Sequence, residues 1–253
     1  MSDWGLKERC AIVTMDAKDL ARIIRIHERL AQACCAPVFW RAGEDSRHNG
    51  TMTFIRTAAE VLGLTNTHVA DGLANCRDEL GRRCQVGGAY LDPARLIGHH
   101  PEMDLVTFQL SDVFLTQVGP RQLAAEVRVW PPSTATEGSP VMFGGYPATY
   151  RNERPDGTVD FNFAWFAAKV QSSSSKNVGM VLGISRSISV GSSPITKDID
   201  LGGWSGGPVL RVADEGGIER LELSAIIYEY SAIHEIALAH PLTDLLIDGT
   251  FRT

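Results

Sequence analysis

One serine in the sequence stands in a glycine-rich segment that could supply a nucleophile for acyl transfer. The segment runs Gly202-Gly203-Trp204-Ser205-Gly206-Gly207-Pro208, so four glycines surround one hydroxyl. Glycine tolerates left-handed backbone and lets other groups approach closely. A serine on such a turn has a clear line of attack, and main-chain N–H groups beside it can stabilise the developing oxyanion. The same pattern also occurs in ordinary loops, so evidence from other parts of the sequence is needed to distinguish a nucleophilic serine from a plain loop.

A nucleophilic serine needs a base and a group that orients the base. His68 ends an apolar run just before a turn signal, and Asp104 opens a short apolar strand. Asp92 and Asp112 are the nearest alternatives to Asp104, but neither starts an apolar strand after a histidine-rich turn. The order along the chain is therefore His, Asp, Ser, which differs from the Ser, Asp/Glu, His order of α/β-hydrolases.

These segments resemble the motifs of the trypsin/chymotrypsin-like serine peptidases, of the compact bacterial type. Thr65-Asn66-Thr67-His68-Val69 is similar to the family's histidine motif, and Asp104-Leu105-Val106 is similar to its aspartate motif. Gly203-Trp204-Ser205-Gly206-Gly207-Pro208 is similar to its serine motif, including the proline. Gly145-Tyr146-Pro147 resembles a strand-end motif that precedes the serine region in bacterial members. The resemblance extends over roughly residues 36 to 250.

The resemblance implies a serine endopeptidase that hydrolyses protein or peptide substrates through an acyl-enzyme, without a cofactor or a metal. His68 would be the base, Asp104 would hold the imidazole in the required tautomer, and Ser205 would attack. The N–H groups of Gly203 and Ser205 would form the oxyanion hole. The alternative of another class is a peptidase-like binding or regulatory module without turnover.

The serine segment also satisfies the nucleophile-elbow pattern of α/β-hydrolase-type esterases. That elbow leads directly into a helix. Here Pro208 to Val212 has the composition of a strand, and only 48 residues follow Ser205, which leaves little room for an acid and a histidine. We therefore place this class behind the other two.

Trp204 stands directly before the proposed nucleophile, where the digestive members of the family carry an aspartate. That aspartate receives the new amino terminus after zymogen cleavage, and an indole cannot. We expect Trp204 to anchor its loop by packing, with its N–H bonded to an acceptor, so that no N-terminal cleavage is needed.

The resemblance also assigns a specificity pocket. Its base position, six residues before the serine, is Ile199, and Asp200 is adjacent. Glu229 and Tyr230 are expected near the pocket wall. An apolar base favours a small or medium apolar side chain before the scissile bond, whereas a shift of one residue would place the carboxylate of Asp200 there.

Composition and charge limit the partners. The net charge is −6 without blocks of like charge, which argues against nucleic acid or an anionic membrane as a partner. The N-terminus lacks the basic start and apolar core of a signal peptide, and no apolar run approaches the ~20 residues of a bilayer span. We expect a soluble, cytoplasmic protein.

The cysteines indicate free thiols in a reducing compartment rather than disulfides, since their number is odd and two are adjacent. Cys76 and Cys84 lie near His68 in the sequence, but the spacing fits no common zinc pattern, so no metal site is predicted. The five cysteines are Cys10, Cys34, Cys35, Cys76 and Cys84.

The predicted architecture is all-β with helical ends. Apolar residues recur at helical spacing from Asp16 to about Ala33, so residues 1–35 form an N-terminal helical extension through which a partner could dock. Short strands joined by turns follow, and the resemblance implies a double six-stranded antiparallel β-barrel of the chymotrypsin-like kind. The first barrel would take residues 36–120. A connector, the second barrel and a short C-terminal helix over residues 241–247 would take residues 121–253.

Overall fold

The computed structural model describes residues 17–42, 46–58, 60–75, 85–155, 158–182, 201–216, 218–231 and 233–252. Within these ranges the chain is mostly β, as predicted. The helices are α1 Ala17–Ala33, α2 Thr67–Asn75 and α3 Asp112–Val118. The strands are β1 Cys35–Ala42, β2 Ser46–Arg56, β3 Val61–Asn66, β4 Gln85–Val86, β5 Ala89–Tyr90, β6 Leu96–His100, β7 Leu105–Leu110, β8 Ala125–Glu126, β9 Pro140–Gly145, β10 Arg151–Glu153, β11 Val159–Phe161, β12 Ala164–Ser173, β13 Val178–Val181, β14 Pro208–Glu215, β15 Ile218–Ser231 and β16 Ile236–Pro241.

The second half of the chain forms the closed six-stranded barrel that was predicted for it. Its strands follow the order β12-β13-β16-β15-β14-β9, and every neighbouring pair is antiparallel. Phe143, Phe166 and Trp204 fill its core. The strand β14 begins at Pro208, directly after the serine segment, so the serine leads into a strand and not into the helix that an α/β-hydrolase requires.

The first half differs from the predicted closed barrel. Its strands form a curled open sheet in the order β5-β4-β1-β2-β3-β7-β6, with β8 added parallel to β2. The end strands β5 and β6 are not paired with each other among the described residues. The strands β4 and β5 have only two residues each, too few to continue the sheet round to β6.

The strand β2 has an edge that the sheet does not use. Only its last residues, Thr53 to Arg56, pair with β3, while Ser46 to Thr53 pair with β1 on its other side. The main-chain groups of β2 before Thr53 therefore do not pair with β3 on the side that faces the barrel. These groups receive the serine segment, as described below.

The N-terminal helix predicted from the sequence is present as α1, and its last turn packs against both halves. Ala31 is buried in one cluster with Leu62 from the first sheet and Met142 from the barrel, and Cys34 and Cys35, which follow the helix, are buried in the same cluster. Cys34 and Cys35 are free thiols, and burial raises the pKa of Cys34 to about 12. The other three cysteines lie outside the described residues. None of the helices in the described ranges has both the length and the apolarity to cross a membrane.

The predicted C-terminal helix is wrong. After β16 the chain makes two turns, in which the Leu245 N–H donates to Leu242 O at 3.2 Å and the Gly249 N–H donates to Leu246 O at 3.0 Å. Leu242 and Leu245 are buried, which gave the helical spacing in the sequence. Gly249 has a φ of +86°, a conformation that turns the chain back so that Phe251 forms a bridge with Leu245.

Candidate active site

The pairing of β3 with β7 brings His68 and Asp104 together. Asn66, the last residue of β3, lies opposite Leu105, the first residue of β7. The residues just beyond this pair, at the start of α2 and before β7, must therefore be neighbours. Asp104 adopts left-handed backbone (φ 48°, ψ 38°), which aspartate tolerates better than most residues.

The carboxylate of Asp104 holds His68 at two points. Its Oδ2 lies 2.5 Å from Nδ1 of the imidazole, and its Oδ1 accepts from the His68 main-chain N–H at 3.1 Å. The main-chain oxygen of Asp104 accepts from the Thr67 N–H at 2.9 Å and from Nδ2 of Asn66 at 3.0 Å. The aspartate is thus fixed through its side chain and its backbone.

The charge state of Asp104 fixes the tautomer of His68. Partial burial by itself raises the pKa of Asp104, but the hydrogen bonds and the charge of His68 outweigh it, so the pKa lies below its usual value. An ionised carboxylate only accepts hydrogen bonds, so Nδ1 of His68 carries the proton. In the neutral imidazole Nε2 then has the free lone pair and can act as a base. The His68 side chain is 53% exposed, so a substrate can reach it.

The serine segment approaches the first sheet more closely than any residue with a side chain could. Gly206 has a φ of +90°, and a Cβ on it would lie 1.8 Å from Thr51 O. Gly203 has a φ of +99°, and a Cβ on it would lie 2.2 Å from Nδ2 of Asn49. A side chain at either position would clash with the first sheet and would be strained by the positive φ, so both positions require glycine, as the sequence pattern indicated.

Hydrogen bonds fix the segment between the sheet and the barrel. From the sheet, the Thr51 N–H donates to Ser205 O at 2.8 Å, and the Thr53 hydroxyl donates to Gly206 O at 2.8 Å. From the barrel, the Gly206 N–H donates to Ile227 O at 2.8 Å.

The strand β3, which leads into the helix that carries His68, is tied to the same residue of β2 as the serine. The Thr65 hydroxyl, three residues before His68, donates to Thr51 O at 2.7 Å. The N–H of the same Thr51 donates to Ser205 O, so one residue of β2 links β3, the strand before His68, to the serine segment.

The side chain of Ser205 points to its own half of the molecule in this structure. Its hydroxyl donates to Tyr228 O at 3.3 Å, and the described residues contain no hydrogen bond between Ser205 and His68. The N–H groups of Gly203 and Ser205 donate to no acceptor among the described residues. Both groups are therefore available to a ligand.

Trp204 anchors the serine segment in the barrel core. It is 1% exposed and makes edge-to-face contacts with Phe143 at 5.9 Å and Phe166 at 5.4 Å between ring centroids. The packing expected from the sequence is present. The expected acceptor for its indole N–H is not found among the described residues.

Sequence reasoning missed His240, which lies behind Tyr228. The two rings are stacked, with centroids 3.9 Å apart, and Nδ1 of His240 lies 2.8 Å from Lys176 O. Burial lowers the pKa of His240, while its bond to Lys176 O and the charge of Asp104 act in the opposite direction. The sequence offered no signal for this contact, because the register of β15 against β16 creates it.

The expected pocket residues are only partly placed. Ile199 and Asp200 lie outside the described residues. Glu229 is exposed, and Tyr230 is half-buried against the barrel core. Both residues follow Tyr228 on β15, and the main-chain oxygen of Tyr228 accepts from the Ser205 hydroxyl. No cluster of three or more His, Cys, Asp or Glu side chains in the described ranges could hold a metal ion.

Comparison with solved structures identifies the fold. No protein-family model and no curated protein matches the sequence. The serine endoprotease from Yersinia pestis aligns with a TM-score of 0.50 and 15% identity, over 85% of this chain and 61% of that chain. A protease of M. tuberculosis in its active form aligns with a TM-score of 0.49 and 15% identity, over 84% of this chain and 77% of that chain. A Glu endopeptidase aligns with a TM-score of 0.47 and 15% identity, over 87% of this chain and 90% of that chain. The resemblance to trypsin/chymotrypsin-like serine proteases is therefore confirmed as a likeness of fold, and this chain spans less than two thirds of the Yersinia protein.

Proposed function

We propose that this protein is a serine endopeptidase with His68, Asp104 and Ser205 as its catalytic residues. The observation that carries the proposal is the two-point contact between Asp104 and His68, at 2.5 and 3.1 Å, in a segment that Thr51 ties to the glycine-rich serine turn. A structural ion pair does not need a half-exposed histidine, nor a serine turn whose N–H groups have no acceptor in the described chain. A peptidase needs all of these.

The reaction starts with rotation of the Ser205 side chain from Tyr228 O toward Nε2 of His68. Nε2 then takes the hydroxyl proton as Oγ attacks the substrate carbonyl carbon, and Asp104 stabilises the imidazolium that forms. The N–H groups of Gly203 and Ser205 stabilise the oxyanion. His68 gives the proton to the leaving amine, and water later hydrolyses the acyl-enzyme by the same route. These steps use only groups of this chain.

The substrate is a protein or peptide in extended conformation. Beyond Ile227, β15 pairs with β16 but no longer with β14, so among the described residues no strand covers the other edge from Tyr228 to Ser231. An extended peptide can add to such an edge through its main chain. Glu229 and Tyr230 lie on this edge and would contact the substrate near the cut, together with the pocket residues at 199 and 200.

A second candidate function is a binding module that holds peptides without cleaving them. The contact that favours it is the bond from the Ser205 hydroxyl to Tyr228 O, which leaves the hydroxyl turned away from His68 in this structure. A module of this kind would use the same open edge of β15 and would not need the hydroxyl.

Cleavage of an unfolded protein substrate distinguishes the two. The wild type should cleave it, and Ser205→Ala should reduce the rate by about 10⁴–10⁶, because the three residues act as a unit. Ser133→Ala is a matched control, since Ser133 is exposed and lies in the connector between β8 and β9, outside the serine segment. Equal turnover by Ser205→Ala would refute the proposal. Binding by both Ser205→Ala and the wild type without turnover would establish the second candidate.

A further inference from the structure

The hydroxyl of Thr51 is placed at the point where the two halves and the serine segment meet. The residue is completely buried, on the edge of β2 that the first sheet leaves unpaired. Its hydroxyl accepts from the Tyr146 N–H at 3.1 Å and donates to Gly203 O at 2.8 Å. Because a hydroxyl has a single proton and the Tyr146 N–H can only donate, that proton is directed to Gly203 O.

The peptide group before Gly203 is fixed by the barrel half. Gly202 O accepts from the Ala148 N–H at 2.6 Å. The C=O and N–H of a trans peptide point in opposite directions, so the Gly203 N–H is directed away from Ala148. This orientation keeps the N–H free for a ligand.

The peptide group after Gly203 is held at both of its ends. Its N–H, which belongs to Trp204, donates to Leu201 O at 3.1 Å within the turn itself. Its C=O is held by the Thr51 hydroxyl, which is the only described side chain that bonds to it. Glycine supplies no steric restriction on either torsion, so without this hydroxyl the peptide loses its tie to the first sheet.

We propose that the Thr51 hydroxyl is a positioning group for the oxyanion hole. It ties the peptide after Gly203 to the first sheet, while the Ala148 N–H holds the peptide before Gly203, so the two bonds together set the direction in which the Gly203 N–H meets the substrate oxygen. This inference rests on the proposed peptidase function and extends it to a residue that does not contact the substrate. Because Thr51 lies in the first sheet, one half of the molecule contributes to the orientation of the proposed oxyanion donor of the other half.

Two other buried threonines show why the role is specific. Thr53 donates to Gly206 O, after the nucleophile, and the N–H of that glycine is also held by the barrel. Thr107 is equally buried and donates to Gly249 O, in the C-terminal turns away from the serine segment. Of these three hydroxyls, only that of Thr51 bonds to the residue that carries the proposed oxyanion donor.

The test compares three variants of the full chain. Thr51→Val keeps the shape and removes the hydroxyl, Thr51→Ser keeps the hydroxyl, and Thr107→Val is a matched loss of a buried threonine hydroxyl elsewhere. Loss of a whole oxyanion donor lowers kcat by about 10²- to 10³-fold. Thr51→Val would only misdirect the donor, so we expect it to lower kcat by about 10- to 100-fold. KM should change little, since the oxyanion exists only in the transition state. Thr51→Ser should restore most of kcat, and Thr107→Val should retain it.

Amide hydrogen exchange of the peptide covering residues 201–207 provides a readout that is independent of activity. Exchange should be faster in Thr51→Val than in Thr107→Val. Equal exchange would overturn the proposal whether or not the protein is a peptidase, and so would equal kcat in the two variants. A wild type that neither hydrolyses peptides nor reacts at Ser205 would instead refute the proposed function, and with it the assignment of the Gly203 N–H to an oxyanion hole.

Discussion

The open sheet and the closed barrel prepare their share of the site to different degrees. The sheet carries His68 and Asp104, which already bond to each other through side chain and main chain. The barrel carries Ser205, whose backbone is fixed but whose hydroxyl still bonds to the barrel's own Tyr228. The proposed base and its orienting acid are thus in contact within one half, while the proposed nucleophile in the other half would have to leave Tyr228 O before it could bond to His68.

The largest effects should come from the pair in the sheet. His68→Ala should lower kcat by about 10⁴–10⁶, like loss of the serine. Asp104→Asn should lower kcat by about 10⁴, because an amide at this position favours the wrong tautomer of His68. Asp92→Asn, which removes a carboxylate that caps the Ala94 N–H, is the control and should leave kcat unchanged. Steady-state cleavage of an unfolded protein measures all three, and full activity of Asp104→Asn would contradict the account.

A pair of core substitutions separates the roles of the two halves. Trp204→Ala in the barrel and Phe54→Ala in the sheet should each cost about 3–5 kcal/mol of unfolding free energy, since both side chains are fully buried. Only Trp204→Ala should also lower kcat under conditions where both variants remain folded, because Trp204 adjoins the nucleophile. Urea unfolding and kinetics on the same samples test this. Equal kcat in the two variants would show that the indole packing does not position Ser205.

The smallest effect concerns the pH dependence of stability through His240. The pKa of His240 is lower in the folded protein than in the unfolded chain, chiefly because of burial. At pH values between these two pKa values, the unfolded state therefore binds more protons than the folded state. Stability should therefore fall as the pH is lowered from 7 to 5. The groups that act on His240 are Lys176 O, Asp104 and His100, and Tyr228 stacks on its ring.

His240→Gln removes this titration and should show a smaller loss of unfolding free energy between pH 7 and pH 5. Urea unfolding at the two pH values measures the difference. His99→Gln is the control, since its exposed side chain lies outside the cluster. An identical loss in the wild type and His240→Gln would show that this histidine does not sense pH.

The sequence predicted the parts of the site that depend on local chemistry and on the pairing of neighbouring strands. The serine turn needs glycine at particular positions, and the pairing of β3 with β7 places the residues after Asn66 and before Leu105 side by side. By contrast, the stack of His240 on its tyrosine and the bond from Thr51 to Gly203 join residues from different strands and halves. Their contact depends on strand register and on the docking of the two halves, which spacing along the chain does not report.

The remaining errors have the same origin. The C-terminal leucines at 242 and 245 have helical spacing, but they are buried by two consecutive turns. Closure of the first sheet depends on how long its end strands are, which turn signals do not fix. The boundaries at residues 35 and 120 stay predictions, although β8, from the expected connector, pairs with β2 of the first half.

Reaction of the intact chain with a fluorophosphonate, followed by mass spectrometry, tests whether Ser205 is an activated nucleophile. We expect one phosphonyl adduct on Ser205 in the uncleaved chain, because Trp204 stands where the digestive enzymes carry the aspartate that receives the new amino terminus. Ser205→Ala and His68→Ala should remain unlabelled, whereas Ser133→Ala should react like the wild type. A wild type that stays unlabelled, or a label that maps to another residue, would contradict the assignment of Ser205 as an activated nucleophile.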